Sequence, residues 1–126
     1  MKARSTRQKD AILDAVVTAS RSLSPDEILS EARNRVPALE IATVYRGIKR
    51  LLVESRVRVV SLPGESDRYE TAESVHHHHF QCTVCRRVFD IAGCPGDLRG
   101  LAPRGFSVES HDVTLYGRCA ECRLAA

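Results

Sequence analysis

Ile41-Ala42-Thr43-Val44-Tyr45-Arg46-Gly47-Ile48-Lys49-Arg50-Leu51-Leu52 is followed, after three intervening residues, by Arg56-Val57-Arg58-Val59-Val60. In the first run Ala42, Tyr45, Ile48, Leu51 and Leu52 recur at helical spacing, and Arg46, Lys49 and Arg50 fall on the other side. The second run alternates as a strand does. Leu62-Pro63-Gly64-Glu65-Ser66-Asp67 then predicts a turn, and Arg68-Tyr69-Glu70 a short return strand. Upstream, Ser24-Pro25-Asp26-Glu27 is a helix start, with Ser at the N-cap, Pro at the first position and Glu at the third. Ile28, Leu29 and Ala32 form the buried stripe of that helix. Ala11, Ile12, Ala15, Val16 and Ala19 predict an earlier helix over 6–19, capped by Ser5 or Thr6. Three helices followed by a hairpin make a winged helix-turn-helix, the form whose basic third helix enters the major groove of duplex DNA.

The charge distribution agrees. The net charge is only +3, but 41–58 carry five basic residues against Glu54 alone, whereas 75–126 carry six Arg against five acidic residues. At 126 residues the chain suits two small units, which predicts a DNA-binding domain over 1–70, a hinge at 71–75 and a second domain over 76–126. Units this small need a metal or a partner subunit to supplement their cores. With 43% hydrophobic and 28% charged residues, disorder is not expected. No apolar run is long enough to cross a membrane, and the basic start is not followed by a signal-peptide core. The expected location is the cytoplasm, where thiols stay reduced and paired cysteines favour metal over disulfides.

Cys82-x2-Cys85 and Cys119-x2-Cys122 are separated by 33 residues. Two such knuckles supply the four thiolates of a closed, structural zinc site. Cys94 stands outside the pattern and reads as a spare cysteine in the Gly93-Cys94-Pro95-Gly96 turn. Just before the first knuckle, His76, His77, His78 and His79 stand in a row. Side chains of an extended segment alternate between faces, so His76 and His78 look one way and His77 and His79 the other. One run can therefore feed two sites, with further ligands among Glu70, Asp90, Asp97 and His111. Imidazole and carboxylate donors suit iron, manganese, zinc or nickel. The strand pattern predicts one strand over 80–91 and another over 106–116, with a helix of at most two turns over 97–102 between them.

With these residues in hand, the chain resembles the ferric-uptake-regulator superfamily over nearly its whole length. The pieces that carry the resemblance are 5–13 (Ser-Thr-Arg-Gln-Lys-Asp-Ala-Ile-Leu), Ile41-Ala42-Thr43-Val44-Tyr45-Arg46, Arg68-Tyr69-Glu70 with the histidine run and first knuckle, and 115–122 (Leu-Tyr-Gly-Arg-Cys-Ala-Glu-Cys). The resemblance implies an α+β chain, a winged helix followed by a small α/β dimerisation domain with a four-cysteine zinc site. It implies a homodimeric repressor that binds operator DNA when loaded with Fe2+, Zn2+ or Mn2+. By position, Thr43, Tyr45 and Arg46 fall on the family's DNA-reading helix, with Lys49 and Arg50 beside them. Lys9 falls where the family has an Arg near the minor groove. The regulatory ligands map to Glu70, His77, His79 and Asp90, and a second site to His76, His78, Asp97 and His111. The first 75 residues contain no His, and Ser22 or Leu23 stands where many iron- and peroxide-sensing members supply one.

Two readings from other classes compete: a zinc-ribbon interaction protein that never touches DNA, and a small metalloenzyme. The second is disfavoured because more than half of the length is spent on the winged helix, so the chain is not expected to be an enzyme.

Overall fold

A computed structural model of the chain describes residues 3–19, 21–72 and 77–124. It divides into two compact units, Met1–Val75 and His76–Ala126. The first unit contains helices α1 (Arg4–Thr18), α2 (Pro25–Ala32) and α3 (Ile41–Val53) and strands β1 (Val57–Val60) and β2 (Arg68–Thr71). The second contains β3 (His78–Cys82), β4 (Val88–Ile91), a 3-10 turn (Arg99–Leu101), β5 (Thr114–Gly117) and α4 (Ala120–Leu124).

The three helices close over Ile12, Val16, Leu23, Ile28, Leu39, Val44, Ile48 and Leu51, all buried. Helix α2 begins as its sequence dictates. The Ser24 hydroxyl accepts the Glu27 N–H at 3.2 Å, and the Glu27 carboxylate accepts the Ser24 N–H at 3.0 Å. Helix α1 starts at Arg4, nearer the N-terminus than predicted, with Ala3 at its N-cap and no side-chain cap. Helix α3 differs in its face. Val44, Gly47, Ile48 and Leu51 are buried, whereas Ala42 and Tyr45 are exposed beside Arg46 and Lys49. At Gly47 an added Cβ would stand 2.5 Å from Ile12 Cδ1. The end of the Ile12 side chain thus fills the space beside Gly47 where α1 and α3 pack.

Helix α3 ends in a Schellman turn. The Arg56 N–H donates to the Leu51 carbonyl at 2.9 Å and the Ser55 N–H to the Leu52 carbonyl at 3.1 Å. Ser55 takes the left-handed conformation (φ 57°) that this turn requires. The chain then leaves directly as β1. Strands β1 and β2 pair antiparallel, with Arg58 opposite Glu70. Leu23 adds a short third rung, exchanging backbone hydrogen bonds with Tyr69 at 2.9 and 2.8 Å. This is the expected winged helix.

The second unit is a three-stranded sheet in the order β4-β3-β5, with β3 antiparallel to β4 and parallel to β5. The expected strand over 80–91 is two strands, folded about the first knuckle at Thr83–Arg87. The expected strand over 106–116 shrinks to β5, and the helix over 97–102 to a single 3-10 turn. Gly and Pro at 93, 95, 96, 103 and 105 crowd the connection between β4 and β5 and remove both strand and helix options. Apolar burial is thin: Val88 and Cys82 are fully buried, while Leu101, Phe106, Leu115, Tyr116 and Leu124 are exposed. Of the expected hinge at 71–75, residues 73–75 lie outside the described residues, and Thr71 closes β2.

Glu27 joins α2 to the wing. Its carboxylate pairs with Arg21 at 2.7 Å and with Arg68 of β2 at 2.6 Å. Burial works to raise its pKa, but the Ser24 N–H and the two guanidinium groups outweigh it and hold the carboxylate below its ordinary value. A depressed folded-state pKa adds stability above the unfolded-state value, lost as pH falls through the folded one. Glu27→Gln keeps the cap acceptor and loses the charge. Urea unfolding followed by circular dichroism should show a loss of about 1–3 kcal/mol at pH 7, and the gap to the parent should close below about pH 4.

Candidate metal centres and nucleic-acid interface

The strand β3 organises the second unit. Its residues alternate between faces, so His77 and His79 project to one side and His78, Phe80 and Cys82 to the other. On the first side, Asp90 of β4 stands opposite His79 in the antiparallel register. Its Oδ1 lies 3.5 Å from His77 Nε2 and 3.7 Å from His79 Nε2. The two imidazoles meet edge to face at 4.9 Å, and their side chains are only 6% and 15% exposed. Two neutral imidazoles and a carboxylate converging on one point are the donors of a transition-metal or zinc site.

Glu70, expected to complete this set, belongs to the first unit, on β2. It is buried there, accepting from Arg58 Nε at 2.7 Å and from the Ser22 hydroxyl at 3.2 Å. Ser22 thus fills the position without a histidine as a donor that orients Glu70. Their meeting at Glu70 depends on the wing pairing with the chain before α2, which no local sequence pattern announces.

The opposite face of β3 departs from expectation. His78 Nε2 lies 3.4 Å from Cys94 Sγ, and Cys94 Sγ lies 3.3 Å from His111 Nε2. The two rings stack at 5.1 Å, and the Val113 N–H donates to His78 Nδ1 at 3.0 Å. Cys94 is therefore no spare residue. It stands between the two histidines, and the Asp97 carboxylate pairs with Arg99 at 2.8 Å. Two side chains brought together across a loop leave no mark in sequence spacing. The only signal was a fifth cysteine outside the two knuckles. His76 lies outside the described residues.

At the far end of β3 the four knuckle sulfurs converge, all within 4.8 Å of one another. Cys82 ends the strand, Cys85 follows in the turn, and Cys119 and Cys122 lead into and lie on α4. The knuckles are tied by Thr83, whose N–H donates to the Gly117 carbonyl at 2.7 Å. Cys82 Sγ accepts the N–H groups of Cys119 and Cys85, each at 3.4 Å, and these donors pull its pKa down to about 5. Cys122 goes the other way, pushed up to about 12 by its hydrogen bond with Cys119 and by burial. Four thiolates this close cannot all be charged unless a cation stands among them. Zinc fits: it accepts four sulfurs tetrahedrally and displaces their last protons.

In the winged unit, Tyr45, Arg46, Lys49 and Arg50 are exposed along α3. Arg46 Nη2 donates to Thr43 Oγ1 at 3.0 Å, so both point the same way from the first turns of the helix. Lys9 lies on α1. Its ammonium is held by Glu54 at 2.8 Å, bracing α1 against the end of α3.

The family model that describes the ferric uptake regulator family matches residues 1–116 of the 126. The chain belongs to the ferric uptake regulator family. It is 29% identical to ferric uptake regulation protein 2 of Mycolicibacterium fortuitum, over 97% of this chain and 87% of that protein. It is 28% identical to the zinc uptake regulation protein of Mycobacterium tuberculosis, over 95% of each. Among solved structures it is similar to the ferric uptake regulator of Helicobacter pylori, with a TM-score of 0.71 and 25% identity, over 98% of this chain and 83% of that one. The family consists of metal-responsive, DNA-binding transcriptional regulators, which are not enzymes. The relatives' names include ferric uptake, zinc uptake and peroxide regulation.

The geometry separates the five cysteines by role. Zinc retained by the purified chain after exhaustive chelation should fall by one equivalent in Cys119→Ser and stay at the parent value in Cys94→Ser. Structural zinc in small domains contributes about 10–16 kcal/mol of binding free energy, so Cys119→Ser should also abolish the cooperative melting of the second unit.

Proposed function

We propose that the chain acts in the cytoplasm as a homodimeric repressor on operator DNA, switched by a divalent cation held by Glu70, His77, His79 and Asp90. The observation that carries this reading is the exposed Tyr45–Arg46–Lys49–Arg50 face of α3, braced from behind by the Ile12–Gly47 contact. In a winged helix this face enters the major groove. Arg46 would read a base edge or phosphate, Tyr45 a thymine methyl or phosphate, and Lys49 and Arg50 the backbone. The Phe106, Leu115 and Tyr116 side chains, exposed in a single copy, supply the apolar surface that a second copy would cover.

The switch follows from ligand placement. Glu70 is in the winged unit, and His77, His79 and Asp90 are in the other. A cation bound by all four would hold each winged unit at one angle, and only one angle sets both α3 helices in successive major grooves, about 34 Å apart. To work, the cation must bind that arrangement more tightly than the others. Iron, zinc and manganese all suit the donors. Among the described residues no helix is long and apolar enough to cross a membrane. The second set is, on this reading, His78 of β3 with Cys94 and His111.

Duplexes selected from a random pool by the metal-loaded protein supply the probe. Fluorescence anisotropy with Fe(II), Mn(II) and Zn(II) in turn should show one metal that tightens binding at limiting concentration. Arg46→Ala should lose about 1–3 kcal/mol of affinity and lower the salt dependence by about one ion. The double variant His77→Ala, His79→Ala should bind equally with and without metal. Full metal dependence in that variant, or binding indifferent to salt, would refute the reading.

A further inference from the structure

The tetracysteine set carries more negative charge than its cation can neutralise: four thiolates on a divalent ion leave two net negative charges. Such sulfurs need N–H donors around them, and the groups that supply these donors tune how firmly the metal is held. Cys82 accepts the backbone N–H groups of Cys85 and Cys119. Cys85, which also has the Arg87 backbone N–H, and Cys119 share one side-chain donor.

That side chain is Arg87, two residues beyond the first knuckle. Its Nε donates to Cys85 Sγ at 3.2 Å, and its Nη2 stands 3.9 Å from Cys119 Sγ. The guanidinium therefore spans both knuckles. Two further contacts fix its plane. Glu121, between the cysteines of the second knuckle, pairs with Nη2 from the outside. Phe89 of β4 lies beneath, with its ring centre 5.6 Å from Cζ. Only 32% of the Arg87 side chain is exposed, whereas Glu121 is 76% exposed. The cation side of the pair is thus turned inward to sulfur and the anion side outward to water. A flexible surface ion pair would need neither the ring beneath nor the sulfurs in front.

We propose that Arg87 is a positioning residue of the tetracysteine site: its planar fork clamps the two knuckles together, lowers the electron density on Cys85 and Cys119, and so sets how slowly the bound metal leaves. Lysine would not replace it, because a point charge cannot address two sulfurs and a ring at once. This inference rests on the four cysteines holding a cation and is independent of DNA binding.

The test uses the full chain, loaded with zinc for kinetics and with Co(II) for spectra. Stripping of zinc by excess EDTA should be about tenfold faster in Arg87→Met, intermediate in Arg87→Lys, and within about threefold of the parent in Glu121→Gln, which leaves the fork in place. The sulfur-to-cobalt charge-transfer band should move to lower energy in Arg87→Met while the visible envelope of a four-sulfur tetrahedral site persists. A merely structural role would leave that band unmoved. Parent-like stripping with an unmoved band would overturn the proposal, as would Glu121→Gln matching Arg87→Met in rate. Should Arg87→Met fail to fold, the Arg87→Lys band decides on the same terms. If the parent chain itself shows no four-sulfur cobalt spectrum, the cation reading falls, and the proposal falls with it.

Discussion

A five-residue strand, β3, with His77 just before it, lines up the candidate metal ligands of the second unit, and the constraint behind it is the two-residue period of extended backbone. His77 and His79 cannot share a face with His78. The antiparallel neighbour delivers Asp90 to the first pair, and the loops beyond β4 and before β5 deliver Cys94 and His111 to the other side. His78 and Cys82 do share a face, but four residues of strand separate them by about 13 Å, so the mixed histidine–cysteine set and the tetracysteine set cannot exchange ligands. Three donor sets thus follow from one strand, and a slip of a single residue in its register would scramble all three.

The winged unit depends on a different contact. The end of the Ile12 side chain lies against Gly47, and on the same helix Val44, Ile48 and Leu51 turn inward while Tyr45 and Arg46 turn out. The charge on that face could have been read as ordinary solvation. It is presented beside a hairpin, on a helix whose end carries the Lys9–Glu54 pair. Glu70 stands on the second strand of the same hairpin, opposite Arg58 and held by Ser22 and Arg58.

Local rules made much of this legible. The capping box at Ser24–Glu27, the alternation of β1 and the knuckle spacing depend only on neighbours along the chain, and the structure has each of them. What depended on distant partners was not legible. Helix α3 has apolar residues around much of its circumference, so periodicity alone could not choose between the Ala42–Tyr45 and Val44–Gly47 faces. Cys94 joins His78 and His111 across a loop, while Asp97 pairs with Arg99 two residues away, and neither pairing is marked by spacing. Lys9 reaches Glu54 across 45 residues of chain, and no sequence pattern announces that pairing. The misjudged strands over 80–91 and 106–116 share one cause: a metal knuckle and Gly/Pro-rich turns override an apolar alternation that would otherwise predict strand.

The central claim is that β3 separates its histidines into distinct cation sets. Anomalous diffraction from crystals of the chain grown with zinc measures this directly, because it locates each ion without reference to function. Three peaks are expected: one among Cys82, Cys85, Cys119 and Cys122, one bounded by His77, His79 and Asp90, and one bounded by His78, Cys94 and His111. A single ion bridging adjacent histidines, such as His77 and His78, would contradict the account.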